Sequence, residues 1–382
     1  MNGGTKRGIN LAGLEGGFGG GPTGSDNDWP RTNGPKPVHN YPTFKPQLLD
    51  YYHSKNIKVI RLMFSWDRMQ SQLWGTVPDP IPGYAQYFAN FKQIVDYATS
   101  LGITVIIEPW QANPSGGTGG AMWLGQLVGD SPAHVDRYAF ADFWQKLAAI
   151  FKGNPLVEYG LVNEPNHMST MSWWTTAQKC IDYIRAAGAT TTIYVPGNGY
   201  TAASRWTDKS VDTDTPQQSN ADAWLHVNDG APLFDPLNKC VAEVHLYMDQ
   251  NADGEGNDVP VGTKDEHGKD GRGKAVVSRT IARERLKAAM DEAQARGYSM
   301  FVGEVAVWAN AHGTPTGQEA WADFIDYIEN PKPPAFVGYT WWAGGWPEYW
   351  PDDKPPHFSV SPVDDGHYSG DRTHMTMIEK NF

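Results

Sequence analysis

Two glutamates at the ends of short apolar runs are the residues best suited to chemistry. Glu164 follows the apolar run 157–162, and Glu304 follows the apolar stretch 300–302, which opens the run 300–307. Both runs have the length and composition of a buried strand, so each carboxyl group is expected where a strand meets solvent. Two carboxyl groups can hydrolyse a glycosidic bond, one as proton donor and the other as nucleophile or base.

Four polar residues are candidates to support this pair. A nucleophilic carboxylate must stay ionised, and Arg61 and Tyr247, each within an apolar run, are suitable donors to it. Alternation along a strand brings His245 to the same face as Tyr247. Asn163 stands beside the first glutamate, where an amide can donate to a sugar 2-hydroxyl.

Each of these residues also has a structural interpretation. Glu164 could cap the helix that follows Pro165. Glu304 could form a salt bridge at the rim of the fold. His245 and Tyr247 could be hydrogen-bonded core residues.

Eight apolar runs are predicted to be strands. Most lack alternation between polar and apolar residues, which is typical of parallel strands buried on both faces. The runs are 8–13, 57–64, 103–109, 157–162, 192–197, 241–248, 300–307 and 336–342.

Segments with helical periodicity alternate with these runs. They are 84–101, 138–151, 173–187, 276–296 and 317–328, with a short C-terminal helix at 375–380. Eight strands alternating with helices predict one (β/α)₈ barrel over residues 1–382, whose active site lies at the C-terminal strand ends. The long polar segments 14–46, 111–135 and 249–274 follow three of these strands and are expected to wall a cleft.

Composition limits the classes of partner. A net charge of −12 and a pI near 5.3 disfavour nucleic acid and anionic membranes as partners. No apolar run approaches the ~20 residues of a membrane span. Aromatic residues make up 12% of the chain, including 16 Trp, and exposed rings are good surfaces for sugars.

Metal and cofactor sites are not expected. Cys180 and Cys240 have no metal-binding spacing, and the sequence leaves open whether they pair. The segment 249–254 opens like a calcium loop but lacks the final Glu, so an ordinary loop is favoured. The glycines of 19–24 match a dinucleotide motif, but no helix start of the required kind follows them.

The combination of motifs resembles glycoside hydrolase family five, the cellulase family of retaining two-glutamate barrels. The resemblance covers nearly the whole chain and is strongest to the endoglucanase branch. The motifs that carry it are Arg61, Asn163-Glu164-Pro165, His245-x-Tyr247, Gly303-Glu304 and Trp341-Trp342.

This resemblance implies an endo-1,4-β-glucanase that acts on a polysaccharide or oligosaccharide. By this resemblance Glu164 is the acid/base and Glu304 is the nucleophile. Arg61 and Tyr247 hold the nucleophile, and His245 supports the acid/base. Asn163 is the partner of the sugar 2-hydroxyl, and Trp342 is the floor of the subsite where the sugar is attacked.

One departure from the family leaves the substrate open. After strand three the family usually shows His-Asn, whereas this chain has Trp110 followed by Gln111. Trp110 either lines the substrate site or packs against the segment 116–120. A β-mannanase, or a hydrolase of a decorated or mixed-linkage β-glucan, is therefore the alternative to a cellulase.

Two other classes are less favoured. A carbohydrate-binding barrel without turnover would need one glutamate to be misplaced. A metal-dependent amidohydrolase is disfavoured because strand one, 8–13, contains no His-x-His. We expect a monomer. Residues 1–7 lack the apolar core of a signal peptide, so we expect a trimmed secreted protein and leave a cytoplasmic one open.

Overall fold

The computed structural model describes residues 5–15, 41–110, 122–123, 126–129, 135–248, 278–307, 316–347, 358–363 and 365–382. Its centre is a closed barrel of eight parallel strands. These are β1 (Lys6–Ala12), β2 (Val59–Phe64), β3 (Thr104–Pro109), β4 (Val157–Gly160), β5 (Ile193–Pro196), β6 (Cys240–Tyr247), β7 (Ser299–Ala306) and β8 (Phe336–Gly345). Each strand pairs with its neighbours in the chain, and β1 pairs with β8.

Helices follow the strands around the outside of the barrel. In the described part of the chain they are α1 (Pro46–Ser54), α2 (Pro82–Ser100), α3 (Arg137–Phe151), α4 (Thr170–Ala186), α5 (Asn220–His226), α6 (Ile281–Arg296), α7 (Thr316–Glu329) and α8 (Thr373–Ile378). The predicted (β/α)₈ barrel is confirmed. The sequence interpretation missed α1 and α5.

Several predicted features lie outside the described residues. These include most of the segments 14–46 and 111–135, together with 116–120 and all of 249–274. The described parts of 111–135 and its flank form three short strands, Met122–Trp123, Gln126–Gly129 and Val135–Asp136, which pair with one another. That these segments wall a cleft stays a prediction.

The interior of the barrel is layered. At its lower, N-terminal end Lys6 donates to Glu158 and to Tyr194, at 2.6 and 2.9 Å. Above this polar floor lies an apolar layer of Val59, Ile106, Tyr194, Val241 and Phe301. Burying each large apolar side chain of this kind contributes about 1.5–3 kcal/mol. The layer seals the barrel from below, so polar groups above it are open only toward the C-terminal strand ends.

The C-terminal segment closes the lower end of the barrel. After α8, the backbone carbonyl of Asn381 accepts from Arg7 of β1 at 2.7 Å. Its side-chain oxygen accepts from Trp321 of α7 at 2.9 Å. The last residues thus join the first strand to a late helix.

The two cysteines do not pair. Cys180 is buried in α4 and Cys240 begins β6, and both are free thiols. Burial raises the pKa of both thiols well above the ordinary value. Among the described residues, no helix is long and apolar enough to span a membrane.

Candidate active site

Glu304 enters the barrel interior through an irregularity in β7. Against β6, Val302 pairs with Val244, but Glu304 pairs with His245, so Gly303 is an extra residue. The carbonyl of Gly303 accepts from Asn10 at 2.9 Å. Simple alternation from the outward-facing Val302 would turn Glu304 outward. The bulge turns its carboxylate toward the interior instead.

Donors surround the Glu304 carboxylate. Arg61 donates to Oε1 at 2.9 Å, and the Tyr247 hydroxyl donates to Oε2. Glu304 is only 3% exposed. Burial raises the pKa of Glu304 above its ordinary value, while the charge of His245 opposes the shift, as do Arg61 and Tyr247. The group is therefore ionised only when these partners compensate its burial.

Glu164 follows β4 in a left-handed backbone conformation, with φ of 46°. His245 Nδ1 lies 2.7 Å from Glu164 Oε1. Burial lowers the pKa of His245, but the charge of Glu304 and the hydrogen bonds to Glu164 and Glu243 outweigh this and raise it to about 10. The imidazole therefore carries a proton at neutral pH and donates toward Glu164.

The two glutamates face each other across His245. An oxygen of each carboxylate and Nδ1 of His245 all lie within 4.8 Å of one another. Carboxyl groups in retaining glycosidases lie ~5–5.5 Å apart, against ~6.5–9.5 Å in inverting enzymes, where a water must fit between. The short separation here suits direct attack by one carboxylate.

Arg61 is the centre of a buried polar layer just above the apolar one. Its guanidinium is fully buried and contacts Glu108, Glu243 and Glu304. It also donates to Asn10 Oδ1 at 2.7 Å. A guanidinium stays protonated in any protein environment, so it offsets part of the negative charge gathered here.

Asn163 is oriented by the same guanidinium. Arg61 Nη2 donates to Asn163 Oδ1 at 2.9 Å. The backbone NH of Asn163 donates to the Pro109 carbonyl at 2.9 Å, which ties the end of β4 to β3. With Oδ1 engaged, the amide offers its Nδ2 donor to a ligand in the site.

Trp110 and Trp342 form an apolar corner of the site with Met63. Trp110 is 8% exposed and clusters with Met63, and the partly buried Trp342 packs against this cluster. The side chain of Trp110 thus belongs to the same cluster as the ring expected to floor the subsite. Such burial favours a supporting wall over an open stacking plate.

Sequence reasoning missed four polar residues near this centre. Glu108 and Glu243 are fully buried beside Arg61. His167 Nε2 lies 2.8 Å from the Tyr200 hydroxyl, and both residues have left-handed backbones, with φ of 55° and 62°. The signal available for the glutamates was a charged residue inside an otherwise apolar run. His167 and Tyr200 lie in loops without such a signal.

The cluster Glu164, His245 and Glu304 contains groups of the kinds that bind metals. Its surroundings favour a different use. Arg61 and the protonated His245 place positive charge against Glu304. A cation bound there would be repelled by both, so the geometry favours acid and nucleophile chemistry over metal binding.

Comparisons with known proteins agree with this arrangement. The family model of cellulases, glycosyl hydrolase family 5, matches residues 22–345. Endo-beta-1,4-glucanase A of Emericella nidulans is 29% identical over 302 residues, which cover 78% of this chain and 74% of the relative. Endo-beta-1,4-glucanase B of Aspergillus niger is 27% identical over 328 residues, 85% of this chain and 79% of the relative.

Solved structures are similar over nearly the whole chain. XacCel5A in complex with cellopentaose has a TM-score of 0.76 and 28% identity, with 99% of both chains covered. An endo-beta-1,4-glucanase of Xanthomonas axonopodis pv. citri has a TM-score of 0.75 and 26% identity, with 98% of both chains covered.

The barrel and its paired carboxylates define a glycoside hydrolase. The chain belongs to glycosyl hydrolase family 5, the cellulase family, as the motifs around Glu164 and Glu304 predicted.

Proposed function

We propose that this protein is a retaining endo-1,4-β-glucanase. The observation that carries the proposal is the facing pair Glu164 and Glu304. One carboxylate oxygen of each and a ring nitrogen of His245 lie within 4.8 Å of one another. The endo-β-1,4-glucanases among its relatives support the choice of bond. The cellopentaose bound by the similar structure supports a substrate of several glucose units.

The reaction runs in two steps. Glu304 Oε1 or Oε2 attacks the anomeric carbon while Glu164 gives its proton to the glycosidic oxygen, which leaves as the hydroxyl of the shortened glycan. Water then attacks the glycosyl-enzyme ester at the anomeric carbon and gives a proton to Glu164. The sugar leaves with its configuration retained and Glu304 is again a carboxylate.

The partners of each glutamate fit these roles. A nucleophile must be ionised, and Arg61 and Tyr247 hold both oxygens of Glu304. An acid/base must exchange protons with substrate and water, and Glu164 is the more exposed glutamate, with 13% side-chain exposure against 4%. The Nδ2 donor of Asn163 suits the sugar 2-hydroxyl, a contact that strengthens in the transition state.

The substitutions Glu164→Gln and Glu304→Gln test the two roles. Each keeps the size of the side chain and removes its acid–base chemistry, so we expect kcat to fall by at least ~1,000-fold in each variant. The assay is hydrolysis of a soluble β-glucan, with folding checked by circular dichroism. The exposed Glu329→Gln, at the lower end of the barrel, is the matched control and keeps full activity.

The stereochemistry of the first product tests the double displacement. NMR of a cello-oligosaccharide digest should show the β-anomer before it equilibrates. An α-anomer at early times would rule out Glu304 as nucleophile. Retention of a tenth of the wild-type activity in either glutamine variant would overturn the role given to that glutamate. A wild-type protein that binds glycans but hydrolyses none would favour the carbohydrate-binding barrel without turnover.

The preferred glycan is a second open question, and Trp110 motivates it. Because Trp110 packs with Met63 in the cluster that Trp342 joins, it presents an apolar wall at this corner, where the family usually has a polar side chain. We propose that a branched or mixed-linkage β-glucan is cleaved faster than unsubstituted cellulose oligomers. A β-mannan is the other substrate to compare.

The variant Trp110→His tests this proposal. We expect the ratio of kcat/KM for cello-oligosaccharide over mixed-linkage glucan to rise by ~10-fold or more, since one polar contact contributes about 1.4 kcal/mol or more. Trp321→His, at a buried position of the outer helix α7, controls for a general loss of packing. An unchanged ratio in Trp110→His would mean that Trp110 is structural and that the substrate is plain cellulose.

We further propose a secreted monomer whose catalytic domain comprises residues 1–382. The support for secretion is the polymeric substrate, which lies outside cells. Light scattering of the purified chain would test the monomer, and the mass expected is the 42.2 kDa of one chain.

A further inference from the structure

Two buried glutamates below the site have no part in the mechanism above. Glu108 of β3 and Glu243 of β6 are both 0% exposed. A glycine clears the space for each: a Cβ at Gly160 would lie 2.0 Å from Glu108 Oε2, and one at Gly303 would lie 1.9 Å from Glu243 Oε1. The barrel is therefore built around these two carboxylates.

The two glutamates differ in what they contact. Glu108 binds Arg61 through both oxygens, with 2.8 Å from Nε to Oε2. Glu243 Oε1 lies 3.1 Å from Arg61 Nε and 3.4 Å from His245 Nε2. Glu243 thus touches both Arg61, the partner of Glu304, and His245, the partner of Glu164. Glu108 touches only Arg61.

The backbone holds Glu243 and His245 in register. The NH of His245 donates to the Thr201 carbonyl at 2.9 Å, and the Thr201 hydroxyl donates to the Glu243 carbonyl. Glu243 Oε2 is buried and has no hydrogen-bond partner among the described residues. A buried carboxylate oxygen without a partner costs free energy, so stability alone does not explain Glu243.

We propose that Glu243 is a positioning residue that keeps His245 protonated, with its Nδ1–H directed at Glu164, while it aligns Arg61 beneath Glu304. The partner of one ring nitrogen fixes the orientation and protonation of the other. When Glu164 has given its proton to the leaving oxygen, this Nδ1–H stabilises the carboxylate that remains. The inference rests on the proposed acid/base role of Glu164.

Other charged groups also act on His245, and any test must separate them from Glu243. The groups that face this ring are Glu164 after β4, Glu304 of β7, Arg61 of β2, Glu108 of β3, and Glu243 and Tyr247 of its own strand. Below them, Tyr194 of β5 also experiences the charge of Glu243. Glu108 is the suitable comparison because it is the same type of residue, fully buried in the same layer beside Arg61, and does not touch the ring.

The experiment compares Glu243→Gln with Glu108→Gln. NMR of the histidine ring nitrogens follows the titration of His245, whose signal is assigned by its loss in His245→Gln. Removing a charge that touches the ring should lower the titration midpoint by about 1 unit or more in Glu243→Gln. We expect less than half of that shift in Glu108→Gln.

Activity gives the second readout. The basic limb of kcat/KM against pH should move to lower pH in Glu243→Gln. Without the charge of Glu243, the His245 ring loses its proton at a lower pH. Glu108→Gln should lower kcat through Arg61 without moving that limb. Equal NMR shifts in the two variants, or none in Glu243→Gln, would overturn the proposal.

Two further outcomes remain decisive. If Glu243→Gln does not fold, Glu243→Asp takes its place, because the shorter side chain draws the carboxylate away from the ring: a lowered His245 midpoint supports the proposal and an unchanged one overturns it. If no glycan is hydrolysed, the proposed function fails, while the NMR titration still tests the contact between Glu243 and His245.

Discussion

At the scale of single residues, one guanidinium faces three buried carboxylates. Arg61 contacts Glu108, Glu243 and Glu304, all of which are at most 3% exposed. Charges at this distance in a water-poor interior change one another's ionisation. The ionisation of the nucleophile is therefore a property of the whole cluster, and removing one donor should be visible in the pH dependence of activity.

Tyr247→Phe should move the acidic limb of the pH profile to higher pH. The hydroxyl donates to the ionised form of Glu304, so its loss disfavours that form and raises the pKa of Glu304 further. A hydrogen bond to a charged group contributes about 1.5–3 kcal/mol, which corresponds to a shift of about 1 pH unit or more.

The measurement is kcat/KM against pH for wild type and variant. Tyr97→Phe is the control, because the Tyr97 hydroxyl donates to Asp50 on the surface at 2.7 Å. Its profile should match that of the wild type. An acidic limb that stays in place or moves to lower pH in Tyr247→Phe would contradict the role given to Tyr247.

At the scale of elements, glycines in two strands make room for the polar layer. Gly160 of β4 lies against Glu108, and Gly303 in the bulge of β7 lies against Glu243. A strand of larger residues at these points would fill the interior and expel the carboxylates. At these two positions the absence of a side chain leaves the space that a buried glutamate fills.

Gly160→Ala and Gly303→Ala should each lower the free energy of unfolding. An added methyl group would overlap a buried carboxylate oxygen in both cases, and overpacking of this kind costs about 1–3 kcal/mol. Urea unfolding measures the change. Gly153→Ala is the control, since no atom lies within 4 Å of its Cβ position. If Gly160→Ala and Gly303→Ala had the same free energy of unfolding as Gly153→Ala, the interior would relax around the added methyl groups without cost, which would contradict this prediction.

At the scale of the whole molecule, the candidate active site and the C-terminal segment that closes the barrel lie at opposite ends. The site lies at the C-terminal strand ends, while Asn381 joins Arg7 and Trp321 at the other end. The apolar layer separates the two. Stability can therefore be changed at the lower end without a change in catalysis.

Asn381→Ala should reduce stability and leave kcat unchanged. It removes the side-chain acceptor of Trp321, a residue that is 2% exposed, and an unsatisfied buried donor costs about 1–3 kcal/mol. Thermal unfolding and a β-glucan assay measure the two effects. The exposed neighbour Lys380→Ala should change neither. A loss of kcat in Asn381→Ala at a temperature where it is folded would contradict this separation.

The sequence by itself determined the barrel and the glutamate pair. All eight strands were predicted because strands buried on both faces leave continuous apolar runs, such as 57–64 and 241–248. Glu164 and Glu304 could be recognised because a charged residue at the end of such a run has few structural reasons to be there. Helices α1 and α5 were not predicted.

Only the tertiary structure decided which side chains meet. Strict alternation along β7 would have turned Glu304 outward, and the extra Gly303 that reverses it is visible only in the pairing with β6. Glu108 and Glu243 are far apart in the chain, and barrel closure brings both onto Arg61. Sequence periodicity describes one strand at a time, whereas these contacts depend on register between strands, which is set by the packing of the whole barrel.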